Sequence, residues 1–284
     1  MNSLSHQLTP REAREAFQVI LLDELGARLE HDLWTVKGGV NLRVFFDSVR
    51  YSEDIDLDVL PIKRQAVRNQ LRQILKSEQL MRRLRSIGIQ DLRRGEKEIS
   101  KDTETTLRFN RQVVVGGVPH STTVEISFRD ADSRDEREVA SVHSRFSDNY
   151  LGKGRTVVAT HYTHRSALAQ KLSALANRTA VQARDVFDIC WLLRTPLSAA
   201  DMAHVAVRVG EETLMRAGQR AAEIRYEEYR DNVLEYLDPS DATPYTGEDA
   251  WLAQQLQVVD LVADLRQALV AADSEFDAGK DAEP

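Results

Sequence analysis

Apolar residues near the start of the chain recur at helical spacing. Phe17, Ile20, Leu21, Leu25 and Leu29 fall on one side of a 3.6-residue repeat. Thr9-Pro10-Arg11-Glu12 precedes them with a capping residue, a proline suited to the first helical position, and a glutamate three residues after the cap. A helix over 10–30 follows from these signals. Next the pattern predicts a short helix at 39–46, a strand over 54–60 ending at Pro61, and a basic helix over 62–77. Strands over 84–91 and 104–115 come after it, and Gly116-Gly117-Val118-Pro119 reads as a turn. From Ser121 to Phe128 the chain alternates, with Val124, Ile126 and Phe128 on one face and Thr123, Glu125 and Ser127 on the other. The segments 104–115 and 121–128 should therefore pair as a hairpin beside 54–60, in a mixed sheet backed by the preceding helices.

From Thr163 onward the pattern is helical. Ala167, Leu168, Leu172, Leu175 and Ala176 form one apolar stripe; Val186, Phe187, Cys190, Trp191 and Leu193 form another. Further helices fit 198–217, 219–237 and 248–272. The expected fold class is α+β: a mixed sheet with helices over residues 1–154, then a helical domain over 155–273, with the boundary near Gly152-Lys153-Gly154. The small, acidic stretch 274–284 reads as a disordered tail.

Composition narrows the class. With 284 residues, 42% of them hydrophobic and 29% charged, the chain has ample material for a folded core. The apolar run Phe17 to Leu22 is far too short to span a bilayer, and the polar start lacks the basic segment of a secretory signal. One cysteine, Cys190, leaves no disulfide framework and suits a reducing cytosol. The expectation is a cytoplasmic protein with no membrane partner.

The net charge of −7 argues against a polyanion partner, but its distribution does not. Residues 61–112 hold 14 Lys and Arg against 6 Asp and Glu, whereas 195–284 hold 7 against 19. Such asymmetry suits a basic face for nucleic acid, or merely two solvated faces of opposite sign.

The candidate chemistry sits in two stretches. Lys37-Gly38-Gly39-Val40-Asn41-Leu42-Arg43 places a glycine pair at a helix start, where backbone amides are open to a phosphate; it could equally be a tight turn. About fifteen residues later, Arg50-Tyr51-Ser52-Glu53-Asp54-Ile55-Asp56-Leu57-Asp58 puts Asp54, Asp56 and Asp58 on one strand face, with Arg50 and Ser52 sharing their parity. Crowded aspartates repel unless solvent or a multivalent cation offsets them, so the run is either an exposed acidic face or a metal site for phosphate chemistry. Glu125 on the next hairpin is a candidate third carboxylate.

A third cluster comprises Lys171 and Arg178, seven apart on one helix face, then Arg184, Asp185 and Asp188, spaced three and four apart. It reads either as a triphosphate contact or as ordinary helical ion pairs. His161 and His164 lack metal-motif spacing, and Cys190 falls on an apolar face suited to a core.

Taken together, these segments resemble the AbiEii/AbiGii-type nucleotidyltransferase toxins, which include the MenT-like enzymes. The resemblance rests on Lys37-Gly38-Gly39 with Leu42-Arg43, on Arg50 to Asp56, on Val124-Glu125-Ile126, on Lys171 to Arg178, and on Arg184-Asp185 to Leu192. It implies a DNA-polymerase-β-like nucleotidyltransferase core whose active site a helical domain completes. The implied reaction moves a nucleoside monophosphate from an NTP to an RNA, a tRNA 3′ end above all, blocking translation. The implied setting is a toxin–antitoxin or phage-defence pair with a cognate antitoxin. By the same resemblance Asp54 and Asp56 would bind Mg2+ or Mn2+, with Glu125 as a further metal ligand. Lys171 and Asp188 would join them in catalysis. Lys37, Gly38, Gly39, Arg43, Ser52, Arg178 and Asp185 would contact the nucleotide. Two departures stand out: Gly-Gly replaces the commoner Gly-Ser, and the third carboxylate is a glutamate rather than an aspartate. Rival expectations are transfer to a small molecule or protein side chain, a non-catalytic nucleotide or RNA binder, and an interaction protein whose acidic C-terminal half engages a basic antitoxin.

Overall fold

A computed structural model describes residues 7–60, 64–128 and 136–280. Two units emerge from the contacts: Met1–Asp47 with Tyr51–Tyr162, and Ser48–Arg50 with Thr163–Pro284.

The first unit is built on a seven-stranded mixed sheet. Helix α1 (Pro10–Gly26) opens it, and the expected capping box is present: Thr9 accepts from the Glu12 amide, and Glu12 accepts from the Thr9 amide at 2.7 Å. Then come β1 (Trp34–Lys37), α2 (Gly38–Val44), β2 (Ile55–Val59), α3 (Arg64–Ile74), α4 (Glu78–Ser86), β3 (Asp91–Asp102), β4 (Thr106–Val115), β5 (Val118–Phe128), β6 (Arg137–Ser141), α5 (Ser144–Leu151) and β7 (Val158–Tyr162). Across the sheet the order is β3-β4-β5-β2-β1-β7-β6. β2 runs parallel to β5, and β1 parallel to β7; the other neighbours are antiparallel. The β4–β5 hairpin turns at Gly116 and Gly117, whose φ angles of +58° and +79° match a two-residue hairpin loop.

One face of the sheet is the core. Ile55, Leu57 and Val59 of β2, Val124 and Ile126 of β5, and Leu107 and Phe109 of β4 are buried there. α1 covers β4, β5 and β7 and meets α3, α4 and α5 on its flanks. Its central position explains why even Glu15, Gln18 and Glu24 are buried, each with a polar partner.

The second unit is helical. α6 (His164–Asn177) and α7 (Ala183–Leu192) carry the two expected stripes, with Leu192 buried while Trp191 and Leu193 are half-buried. α8 (Ala199–Val209), α9 (Glu211–Glu223), α10 (Tyr226–Asn232), α11 (Pro239–Ala242) and α12 (Glu248–Lys280) follow. α12 packs on α7, α8 and α9, and α6 packs on α7, α8 and α9.

Several element boundaries differ from the sequence reading, for physical reasons. The expected basic helix ends at Ile74, and a further helix follows it, because Ser77 caps a second start by accepting from the Leu80 amide at 3.2 Å. That start takes residues 84–86 into α4, so the expected strand 84–91 is replaced by β3 beginning at Asp91, after Gly88 turns at φ +94°. The expected helix 198–217 breaks at Gly210, whose φ of +79° no continuing helix adopts. The single helix expected over 219–237 divides at Ile224, an extended residue. β7 joins the sheet unit to Tyr162, beyond the expected division at 154. α12 continues to Lys280 across part of the expected tail; 281–284, Pro61 and the first two residues of the expected basic helix lie outside the described residues. Among the described residues, no helix is long and apolar enough to cross a membrane.

Candidate active site

The loop entering β2 is clamped from several directions. Gln18 Nε2 donates to the Ser52 carbonyl at 3.0 Å, and Thr122 Oγ1 to the Glu53 carbonyl at 2.7 Å. Ser52 Oγ donates to the Asp54 carbonyl at 2.9 Å, and the Thr123 amide to Asp54 Oδ1 at 2.8 Å. Ser52 therefore shapes the loop, and Asp54 is aimed by a backbone amide of the neighbouring strand. Within β2, Asp56 and Asp58 alternate with buried Ile55, Leu57 and Val59, which places both carboxylates on the polar sheet face, half-buried.

Strand register then assembles a row that the sequence could not display. Lys37 on β1 pairs with Asp56 on β2, Asp56 with Glu125 on β5, and Glu125 with Arg108 on β4. Directly paired residues share a face, so the sheet carries the sequence cation, carboxylate, carboxylate, cation across four strands. Arg108 Nε donates to Glu125 Oε2 at 2.7 Å, and its Nη2 contacts the same oxygen. At the other end Lys37 Nζ donates to Asp58 Oδ1 at 2.5 Å and to Ser127 Oγ at 2.8 Å, and Tyr162 donates its phenol to Asp58 Oδ2 at 2.7 Å. Asp58 is thus bound on both oxygens. Two cations, Lys37 and Arg108, face four carboxylates: Asp54, Asp56, Asp58 and Glu125.

Gly38 closes against this row. It begins α2 at φ +67°, and a Cβ built there would lie 2.6 Å from Asp56 Oδ2. Both the backbone angle and the approach of the carboxylate require glycine. The glycine turn and Asp56 are consequently one structure, with the turn's backbone laid against the carboxylate.

Among the described residues, no group of three or more His, Cys, Asp or Glu side chains forms a metal cage. The available donors are hard carboxylate oxygens, of the kind Mg2+ or Mn2+ prefers, on Asp54 and Asp56. Those residues suit a divalent ion. Glu125 stands beside Asp56 but is ion-paired with Arg108.

The helical unit brings together the third cluster and adds Arg50 from the segment Ser48–Arg50. Arg50 grips Asp188 with two hydrogen bonds, Nε to Oδ1 at 2.9 Å and Nη2 to Oδ2 at 2.7 Å. Lys171 Nζ lies 2.6 Å from Asp188 and 3.2 Å from Asp185, and Arg178 Nε lies 2.8 Å from Asp185. Both carboxylates are 0% exposed. Burial raises the pKa of Asp188, but the charges and hydrogen bonds of Arg50 and Lys171 overcome that effect and leave it at about 2. Arg184 is half-buried outside this knot.

Arg43, expected at the nucleotide, is enclosed by side chains of the sheet unit. It is 6% exposed, ion-paired with buried Glu15, and lies over the rings of Tyr51 and Phe146 at 4.1 and 5.1 Å. Its guanidinium serves the packing of α2 with α1 and α5. His161 is a core residue, stacked on Phe45 with ring centroids 3.9 Å apart and held by Asn41 and the Tyr162 carbonyl; desolvation lowers its pKa to about 4. Burial pushes the Cys190 thiol up to about 12, fitting a structural role. Sequence reasoning passed over Arg108, Ser127 and Tyr162. The signal for Arg108 was present in the alternation of Arg108, Asn110 and Gln112 with Leu107, Phe109 and Val113.

A mixed sheet bearing this glycine turn and aspartate pair, in a chain that ends in helices, defines the nucleotidyltransferase class. The sequence model of the AbiEii nucleotidyl transferase toxins of type IV toxin–antitoxin systems matches residues 20–273, and the chain belongs to that family. Its fold is similar to the crystal structure of JHP933 from Helicobacter pylori, with a TM-score of 0.53 at 16% identity over 96% of this chain and 99% of that one. It is also similar to a candidate nucleotidyltransferase from H. pylori, with a TM-score of 0.52 at 18% identity over 91% and 96%. At such identities the likeness concerns the fold alone. No curated protein matches the chain.

Proposed function

We propose that this nucleotidyltransferase moves a nucleoside monophosphate from an NTP to the 3′-hydroxyl of an RNA, tRNA foremost, and thereby blocks translation as the toxin partner of a cognate antitoxin. The observation that carries the reading is the fit of the Gly38 turn to Asp56: at φ +67°, with room for no Cβ beside Asp56 Oδ2, the start of α2 is laid against a carboxylate of the polar sheet face. In the reaction, O3′ of the acceptor bonds to the α-phosphorus as the bond from that phosphorus to the β-phosphate oxygen breaks. Pyrophosphate leaves with the electron pair, and the hydroxyl proton passes to water.

Asp54 and Asp56 would hold Mg2+ or Mn2+, which when bound supplies positive charge for the attacking hydroxyl and the phosphates. Asp54 is pre-aimed by the Thr123 amide, so its carboxylate needs no reorganisation on binding. Gly38 and Gly39 would offer backbone amides to the phosphates, while Ser52 keeps the loop in shape. Lys37 keeps Asp58 out of the donor set. Lys171, Arg178, Asp185 and Asp188 would handle the nucleotide from the helical unit; with Arg50 that knot holds three cations against two carboxylates, a positive excess that suits an anion. The proposed cellular setting is the cytoplasm, in a toxin–antitoxin or phage-defence pair.

A second reading, transfer to a small molecule or a protein side chain, is favoured by the state of the basic segment. Arg64 and Arg68 are paired with Asp102, Arg83 with Asp23 and Glu24, Arg85 with Glu78, Arg93 with Asp91, and Arg94 and Arg111 with Glu98. Several of the cations that suggested an RNA face are thus held by carboxylates of the same unit, although of these partners only Asp23 and Glu24 lie outside residues 61–112.

Incubation of the purified protein with total tRNA, Mg2+ and each α-32P-labelled NTP, beside Asp54→Ala, separates the readings. Label in tRNA that Asp54→Ala abolishes is the expected result. Aspartate-dependent label in protein or in the small-molecule fraction, with none in RNA, would replace the RNA acceptor by the second reading.

A further inference from the structure

The two cations at the ends of the charged row are held in different ways. Lys37 has two partners, Asp58 Oδ1 and Ser127 Oγ, and its side chain is 16% exposed. Arg108 has Glu125 Oε2 as its carboxylate contact, and its side chain is 43% exposed. An ion pair at that exposure is weakly held and exchangeable, whereas a cation fixed by the half-buried Asp58 and the buried Ser127 is not. Glu125 itself is 21% exposed and lies in register beside Asp56. Adjacent carboxylates raise each other's free energy, and Arg108 is the charge that now relieves Glu125.

We propose that Arg108 is the exchangeable counter-ion of Glu125: it holds this carboxylate until a divalent ion takes its place between Glu125 and Asp56, and so sets the divalent-ion threshold of the site. The inference rests on the nucleotidyltransferase reading of Asp54 and Asp56. It adds a residue outside the glycine turn and the aspartates, and it gives Glu125 two successive partners. A divalent cation arriving beside Asp56 repels the guanidinium and competes for the same Oε2. Arg108 can yield because its side chain, 43% exposed, can turn to solvent; Lys37 stays because Asp58 and Ser127 keep it. An ordinary cross-strand ion pair would instead contribute to hairpin stability without touching cation affinity.

Mn2+ is the probe, with binding to the full chain read from the electron paramagnetic resonance of free Mn2+, without NTP or turnover. Arg108→Gln is expected to bind Mn2+ roughly three- to tenfold more tightly than the unaltered protein, the range for removing one nearby, partly screened positive charge. Arg108→Lys, which keeps the charge, should bind as the unaltered protein does. Glu125→Gln and the double variant Glu125→Gln/Arg108→Gln should match each other, because Arg108 then has no carboxylate to withhold. Equal Mn2+ affinity in Arg108→Gln and the unaltered protein, with Asp56→Asn abolishing binding, would overturn the proposal while leaving the metal reading intact. A gain in affinity that persists in the Glu125→Gln background would overturn it too. Mn2+ binding that ignores Asp54→Asn and Asp56→Asn would overturn the metal reading, and the proposal with it.

Discussion

The sheet unit and the helical unit each contain a cluster of acidic and basic side chains, and the two clusters obey opposite rules. In the helical unit Asp185 and Asp188 are fully buried, and Arg50, Lys171 and Arg178 surround them. In the sheet unit Asp54, Asp56, Asp58 and Glu125 are half-buried, with only Lys37 and Arg108 as cations in the row. Desolvation explains the contrast. A carboxylate removed from water must be matched by partners or it destabilises the fold. One that keeps part of its hydration can stand in excess and remain available to an incoming cation. The same residue types therefore make a buried, fully paired knot in one place and an electronegative platform in the other.

Removing a carboxylate from each cluster is the sharpest way to break that comparison. Asp188→Ala leaves Arg50 and Lys171 buried without their shared partner, and should lower stability by about 3–5 kcal/mol. Asp56→Asn keeps the shape, relieves repulsion from Glu125, and should change stability by less than about 1 kcal/mol while removing transfer activity. Urea unfolding of both variants beside the parent checks the pair. A loss in Asp56→Asn as large as in Asp188→Ala would show that the sheet carboxylates carry stability to the same degree.

Acid separates the units in a second way, through groups with displaced pKa values. His161 in the sheet unit is buried neutral, with a folded pKa of about 4 against 6.5 for the free side chain. Between pH 6.5 and 4 the unfolded chain binds the extra proton, so stability falls as pH is lowered through that window, by up to about 3 kcal/mol. Asp188 in the helical unit has a folded pKa of about 2 against 3.8. Its contribution is present above pH 4 and is lost only as pH falls from 4 towards 2. Urea titrations at pH 7, 5 and 3 should show two successive losses. His161→Gln should remove the upper loss and leave the lower one; an unchanged upper loss would move the responsible group elsewhere.

How much of this was legible in the sequence depends on the range of each interaction. Alternation within one strand is local, so the faces of 54–58 and 121–128 could be read, and β2 and β5 are neighbours as expected. The capping box at Thr9 is equally local, and α1 starts where it predicts. Register between strands is not local. The pairing of Glu125 with Asp56 on one side and Arg108 on the other depends on which strands meet, so Arg108 went unnoticed although its alternation was visible. β3 was missed because Asp91–Asp102 is charged, largely exposed and without apolar alternation, as an edge strand can be. Arg43 is expected at the nucleotide only through the family resemblance; its direction in the fold is fixed by Glu15 and by the rings of Tyr51 and Phe146, none of which local spacing reveals. The net charge of residues 61–112 can be counted in the sequence, but which of its arginines stand in ion pairs cannot, because Asp23, Glu24 and Asp102 meet them only in the fold.

Asp58 tests where the line between the two clusters falls. By sequence it belongs with Asp54 and Asp56, sharing their strand face; by environment it resembles Asp188, since both its oxygens are taken by Lys37 and Tyr162. If environment decides, Tyr162→Phe should remove one hydrogen bond to a charged acceptor and lower stability by about 1–2 kcal/mol. Mn2+ affinity should not move, because Lys37 still holds the other oxygen and Asp58 stays outside the donor set. Should Tyr162→Phe instead tighten Mn2+ binding at unchanged stability, Asp58 would be a withheld ligand, and the platform would contain a second carboxylate kept from the cation by a protein partner.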